Sequence, residues 1–253
     1  MLGRLRSRLF TIPAASLATA VLISTAVVTL VFGYWARWQE WLYRLWGGTV
    51  LYIFGARVTV RGADNLTPGC NYVLVSNHLS LVDTPVMFHC LPVPFKFLAK
   101  HELLKVPFIG WYLSRAGHLT VNRASLRSSI TSMNECARLI REKHLSVLIF
   151  AEGTRSLTGE MQPFKEGAAY LSIQSGVPVA PIALVGTWDV LPAKSAYFMP
   201  GDVEMRIGKP LSPEGYTLKT RTAFTSLMEE RVRALLNNPS GVTDSAPSAD
   251  SPR

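Results

Sequence analysis

The stretch VLVSNHLSLVD at residues 73–83 carries a histidine and an aspartate, His78 and Asp83, five positions apart. The residues before His78 are β-branched and apolar, which is the pattern of a buried strand. The imidazole therefore stands where that strand ends. If Ser80 caps a helix starting near Leu81, Asp83 falls in the first turn and can fold back on the ring. A carboxylate on one ring nitrogen fixes the tautomer and stabilises the imidazolium when the other nitrogen takes a proton. Such a pair is a general base. A bare His-x4-Asp arises easily by chance, so its weight depends on what else the chain brings to strand ends.

Several cations do arrive there. FAEGTRS at 150–156 closes a second apolar run with Glu152, Gly153 and Arg155. GHLTVNR at 117–123 ends in Arg123, and FKEGA at 164–168 sets Lys165 and Gly167 at a helix start. Arginine and lysine beside glycine turns and a helix N-terminus make a phosphate site. Each alone reads as a solvated surface cation. Together and in this order they suggest a base beside an anion cradle.

The elements that must position these residues read as α/β. RVTVRG, NYVLVS, FKFLAK, GHLTVN, LSVLIF, VPVAPIALV and VEMRIG are strand candidates. Residues 124–143 read as an amphipathic helix with Ile130, Met133, Ala137 and Ile140 on one side. Helices are also expected over 166–176, stopped by Gly176, and over about 220–237. Strands alternating with helices predict a largely parallel or mixed central sheet flanked by helices. In such sheets ligands gather at the carboxyl ends of the strands, where His78 falls.

Mean hydropathy is +0.20 and hydrophobic content is 48 %, which leaves apolar surface for lipid. No residue from Leu9 to Ala36 is charged, and about 20 apolar residues cross a bilayer core. The arginine-led start also fits a cleaved signal peptide, but the run is too long for one and continues into a tryptophan-rich segment. Trp35, Trp38, Trp41 and Trp46 follow with Tyr34, Tyr43, Arg37 and Arg44, a mixture suited to the headgroup level. The expected organisation is an N-terminal membrane-embedded anchor of one or two helices at 1–56, a catalytic domain at 57–237 and a disordered tail at 238–253. Arginines flank the apolar run on both sides, so charge does not decide between a spanning helix and a shallow hairpin; the hairpin accommodates them better. Net charge is +9, suited to phosphates or an anionic membrane. Nothing resembles a nucleic-acid module, so no nucleic-acid partner is expected. Cys70, Cys90 and Cys136 form no C-x-x-C or disulfide framework, which points to a reducing compartment, and no metal cluster is expected.

The blocks NHLSLVD, GHLTVNR, FAEGTRS and VPVAPIAL resemble, in order, those of the glycerolipid acyltransferases, in particular the lysophosphatidate acyltransferase family. The resemblance covers roughly residues 57–210 and includes Pro178 and Pro181. It implies His78 as base and Asp83 as its partner. It implies Arg155, Arg123, Lys100 and Lys165 around the substrate phosphate, with Glu152, Gly153 and Thr154 positioning substrate. It implies no cofactor: acyl-CoA or acyl-carrier protein serves as co-substrate, and the acceptor is a lysophospholipid in the bilayer. The expected location is the cell inner membrane, with the catalytic domain facing the cytoplasm. Asn122 and Ala151 depart from the family's usual Asp and Pro. Glycerol-3-phosphate or a lyso-aminolipid as acceptor stays open. A serine hydrolase using Ser80 is the rival class, though G-x-S-x-G occurs nowhere.

Overall fold

The structure is a computed structural model, and it describes residues 2–32, 36–106, 109–122, 124–195 and 197–238. Arg123, Tyr34, Trp35 and the tail beyond Asn238 lie outside the described residues.

The chain starts with α1 (Leu2–Arg6), a π-helical turn (Ser7–Thr11) and α2 (Ile12–Phe32), followed by α3 (Ala36–Phe54). Then come β1 (Ala56–Arg61), β2 (Val73–Ser76), α4 (Asp83–Cys90), β3 (Lys96–Lys100), α5 (Ile109–Arg115) and β4 (Leu119–Val121). The remainder is α6 (Leu126–Glu142), β5 (Val147–Phe150), α7 (Gly167–Ser175), β6 (Val179–Val185), α8 (Thr187–Val190), β7 (Gly201–Ile207) and α9 (Arg221–Asn237). Every strand expected from the sequence is present.

The strands form one seven-stranded sheet in the order β1-β7-β6-β2-β5-β3-β4. β2, β3, β4, β5 and β6 run parallel, and β7 is antiparallel to β6. The sheet is therefore mixed, and the ends of β2 and β5 lie side by side, with Ser76 opposite Phe150. Burial alternates with the pleat. Val73, Val75, Val147, Ile149 and Val179 face α6, α7 and α9, whereas Leu74, Leu148, Ala180 and Ile182 face α3 and α4. Both faces are covered, which is why the central strands are apolar at every position. Ser125 starts α6 by accepting from Ser128 N–H in a capping box. Gly176 ends α7 at φ 73°, a left-handed conformation that glycine adopts without strain.

The N-terminal helices are tied to the domain. The stretch Ser7–Thr29 is long and apolar enough to cross a membrane. α2 runs antiparallel to α3: Gln39 Nε2 donates to Thr29 Oγ1 at 2.6 Å, and Trp46 Nε1 to Thr19 Oγ1 at 3.1 Å. Trp38 and Trp41 are exposed, as an interfacial helix requires, but the far end of α3 is not interfacial. Val50, Leu51 and Phe54 are buried in the domain core. Arg44 bonds the carbonyls of His89 and Leu91 at the end of α4, fastening α3 there. The C-terminal part of α3 thus packs into the same core cluster as β2 and β6.

Candidate active site

His78 follows β2 directly and is clamped from three directions. Its Nδ1 lies 2.7 Å from Asp83 Oδ2. Its backbone N–H donates to Glu152 Oε1 at 2.7 Å, and its carbonyl accepts from Ser156 N–H at 2.9 Å. The ring stacks on Phe150, centroids 3.9 Å apart and 9° from parallel. Rotation out of plane is blocked by Phe150, and rotation in plane by the bond to Asp83. The side chain keeps 17 % exposure while Asp83 has none, so a reactant can reach the imidazole but not the carboxylate.

The carboxylate is positioned by the turn it closes. Asp83 Oδ2 also accepts from Leu79 N–H at 2.8 Å and Ser80 N–H at 2.9 Å. It stands in the first turn of α4, where the helix dipole favours an anion. An anionic acceptor at Oδ2 assigns the proton to Nδ1 and leaves Nε2 with a free lone pair, the form a general base needs. The helix starts at Asp83 rather than near Leu81. Ser80 accepts from Val82 N–H at 3.1 Å, but its hydroxyl donates to Leu191 O at 2.7 Å, so it straps the loop to α8 instead of capping a helix at Leu81. Fully buried and committed, Ser80 is no nucleophile. The thiols of Cys90 and Cys136 are pushed up to about 11, chiefly by burial, so they stay protonated and inert at neutral pH.

Both carboxylate oxygens of Glu152 accept from backbone N–H groups. Oε1 holds His78 N–H, and Oε2 accepts from Gln162 N–H at 3.0 Å. Burial raises its pKa above the ordinary carboxylate range, against the pull of the two N–H groups. Asn77, which carried no role in the sequence reading, clamps the other side. Its Nδ2 donates to Leu184 O at 2.9 Å and its Oδ1 accepts from Leu184 N–H at 2.8 Å. The amide thereby extends the β2–β6 ladder one residue past the strand. A polar side chain ending an apolar strand was the available signal, but its partner lies 107 residues away.

The cations occupy the same edge. Gly153 has φ 78°, and a Cβ there would lie 2.7 Å from Lys165 Nζ, so glycine lets the lysine cross the turn. Arg155 adjoins Ser156, whose N–H holds His78. Neither Arg155 nor Lys165 forms an ion pair with a described carboxylate. Thr154 is exposed on this turn. Lys100 ends β3, next to β5, but lies 3.6 Å from Glu102 and is partly neutralised. Arg123 lies outside the described residues. Its neighbour Asn122 accepts from Ala124 N–H at 2.9 Å, turning the chain toward α6. Ala151 donates its N–H to Ser76 O at 3.3 Å, a bond a proline could not make. Among the described residues no cluster of three or more His, Cys, Asp or Glu could hold a metal ion.

The acyltransferase family model matches residues 57–185. The chain belongs to the acyltransferase family. Among its curated relatives, a 1-acyl-sn-glycerol-3-phosphate acyltransferase of Chlamydomonas reinhardtii is 40 % identical over 159 residues, 62 % of this chain and 47 % of that protein. The 1-acyl-sn-glycerol-3-phosphate acyltransferase alpha of Homo sapiens is 36 % identical, covering 66 % of this chain and 59 % of its own length. The chain thus spans about half to three-fifths of the length of these relatives. The crystal structure of the 1-acyl-sn-glycerophosphate acyltransferase PlsC from Thermotoga maritima superposes with a TM-score of 0.77. It covers 96 % of this chain and all of that one at 23 % identity, which establishes the shared fold. The acyltransferase match contains the His78–Asp83 and Glu152–Arg155 segments, so the family's region and the clamped histidine coincide.

Proposed function

We propose that this acyltransferase moves an acyl chain from acyl-CoA or acyl-carrier protein to the sn-2 hydroxyl of 1-acylglycerol-3-phosphate, forming phosphatidate. The observation that carries the reading is the 2.7 Å contact of His78 Nδ1 with a buried, backbone-bonded Asp83. His78 Nε2 takes the hydroxyl proton as the oxygen attacks the thioester carbonyl. The C–S bond then breaks, and the thiolate leaves with the proton that the imidazolium returns. Asp83 stabilises the imidazolium in between. The thioester is already activated, so no acyl-enzyme is needed. General-base assistance of this kind is worth ~10²–10⁴ in rate. Arg155 and Lys165, which pair with no described carboxylate, are the groups proposed for the phosphate, joined by Lys100 and Arg123.

The apolar Ser7–Thr29 stretch, the exposed tryptophans and the acceptor's own chain support a membrane-bound enzyme. α2 and α3 are proposed as a hairpin in the leaflet of the inner membrane, with the domain on the cytoplasmic side.

The test is acyl transfer by the full chain against a panel of acceptors, with both donor types. The panel comprises lysophosphatidate, glycerol-3-phosphate and a lyso-aminolipid. Lysophosphatidate should be preferred by kcat/KM; preference for an acceptor without phosphate would overturn the assignment.

A further inference from the structure

Beneath α2 lies a groove of about 720 Å³, within the ~300–1,000 Å³ usual for ligand sites. One wall is the segment that carries the base. Leu81, Thr84 and Pro85 line the groove, and Asp83 sits among them in sequence. Leu191 lines it too, and its carbonyl is the one held by Ser80 Oγ. The inner wall is therefore continuous in sequence with the turn that holds Asp83.

The opposite wall is α2, where the lining side chains other than Ile12 and Ile23 are small. Ser16, Ala20 and Ser24 follow at spacings of four, which stacks them on one face. Their size creates the space, since leucine or phenylalanine at those positions would occupy it. The floor is apolar, with Val50 and Phe54 of α3. The outer side is open: Ile23 and Leu81 line the groove yet remain 53 % and 56 % exposed. Beside it α2 exposes Leu17, Val21 and Val28, a surface suited to lipid tails.

An apolar groove open at the lipid-facing helix and closed on the base-bearing segment fits one occupant: the hydrocarbon chain of a substrate that stays in the leaflet while its hydroxyl meets His78. The acyl donor arrives from water on a soluble carrier and needs no such opening. We propose that this groove binds the sn-1 acyl chain of the acceptor, and that Ser16, Ala20 and Ser24 determine how the acceptor chain is accommodated. The inference rests on the function proposed above and adds a binding role to α2 beyond anchoring.

The experiment uses the full chain in mixed micelles with 1-palmitoyl- and 1-hexanoyl-glycerol-3-phosphate. Ala20→Phe fills the groove, and Val21→Phe adds the same bulk on an exposed face outside it. Ala20→Phe should raise KM for the palmitoyl acceptor about tenfold, the scale of losing hydrocarbon contacts in a pocket. KM for the hexanoyl acceptor and for the donor should hold, and Val21→Phe should leave all three unchanged. An unchanged palmitoyl-to-hexanoyl ratio, or a rise confined to the donor, would overturn the groove assignment. A second measurement needs no variant: a palmitoyl acceptor with a terminal diazirine should label the peptide spanning Ile12–Ser24. Absence of label there, or equal labelling by a diacyl phosphatidylcholine probe, would overturn it as well. Turnover of either acceptor by the unaltered protein checks the proposed function separately.

Discussion

Two histidines border one aromatic cluster and differ in character. His78 stacks on Phe150, whose ring centroid is 6.3 Å from that of Phe97; Phe97 in turn is 6.2 Å from His118. His78 has a buried carboxylate against Nδ1, and its ring stays partly exposed. His118 pairs with no described carboxylate. Its Nδ1 accepts from Phe97 N–H at 3.1 Å, and burial, helped by Lys96, pushes its pKa down to about 4. At neutral pH it is an uncharged packing residue at the start of β4. An imidazole becomes a base only where an anion is fixed against one nitrogen and the other is left accessible. The partner, and the backbone that holds the partner, decide the role.

The sharpest way to break this contrast is Asp83→Asn, which removes the anion and leaves the shape. Turnover should fall by about 10³-fold or more, with thermal stability and membrane association kept; kcat beside thermal unfolding checks it. The converse concerns His118. Because its folded pKa is depressed, the unfolded chain binds more protons between pH 6.5 and about 4. Its contribution is complete above pH 6.5 and is lost as pH falls through that window, a total of about 3 kcal/mol. His118→Asn keeps an acceptor for Phe97 N–H without the titration. Thermal unfolding at pH 7 and pH 5 should show a smaller acid loss in the variant, and equal losses would contradict the assignment.

Glu152→Gln tests the backbone clamp. Glutamine can accept at one oxygen only and leaves a buried N–H unsatisfied, at a cost of about 1–3 kcal/mol. A lower kcat with an unchanged acceptor KM is expected, since Glu152 faces the backbone. A rise confined to acceptor KM would return the residue to the substrate. Arg155→Ala should have the smallest effect, raising acceptor KM about tenfold through loss of a charge-assisted bond. Stability should not change, because Arg155 pairs with no described carboxylate.

Much of this was legible in the sequence because it is local. The β-branched runs marked the strands, the apolar period marked α6, and Gly176 marked its helix end. The His78–Asp83 pair was visible because both residues lie in one turn. What escaped depends on neighbours far along the chain. Glu152 meets His78 only because β5 docks beside β2, and Asn77 meets Leu184 only because β6 lies on the other side. Ser80 looked like a helix cap at Leu81, but Leu191 O, brought in by α8, takes its hydroxyl. The tryptophans of α3 drew attention to the interface, while Val50, Leu51 and Phe54 in the same helix carried the period of a core face.

The central claim is that His78 is the base, and the most direct measurement is acyl transfer to lysophosphatidate by full-length His78→Ala. Its backbone bonds to Glu152 and Ser156 do not involve the side chain, so fold and membrane association should survive. Turnover should drop by ~10²–10⁴ with unfolding temperature close to that of the unaltered protein. A folded His78→Ala protein with undiminished turnover would contradict the account.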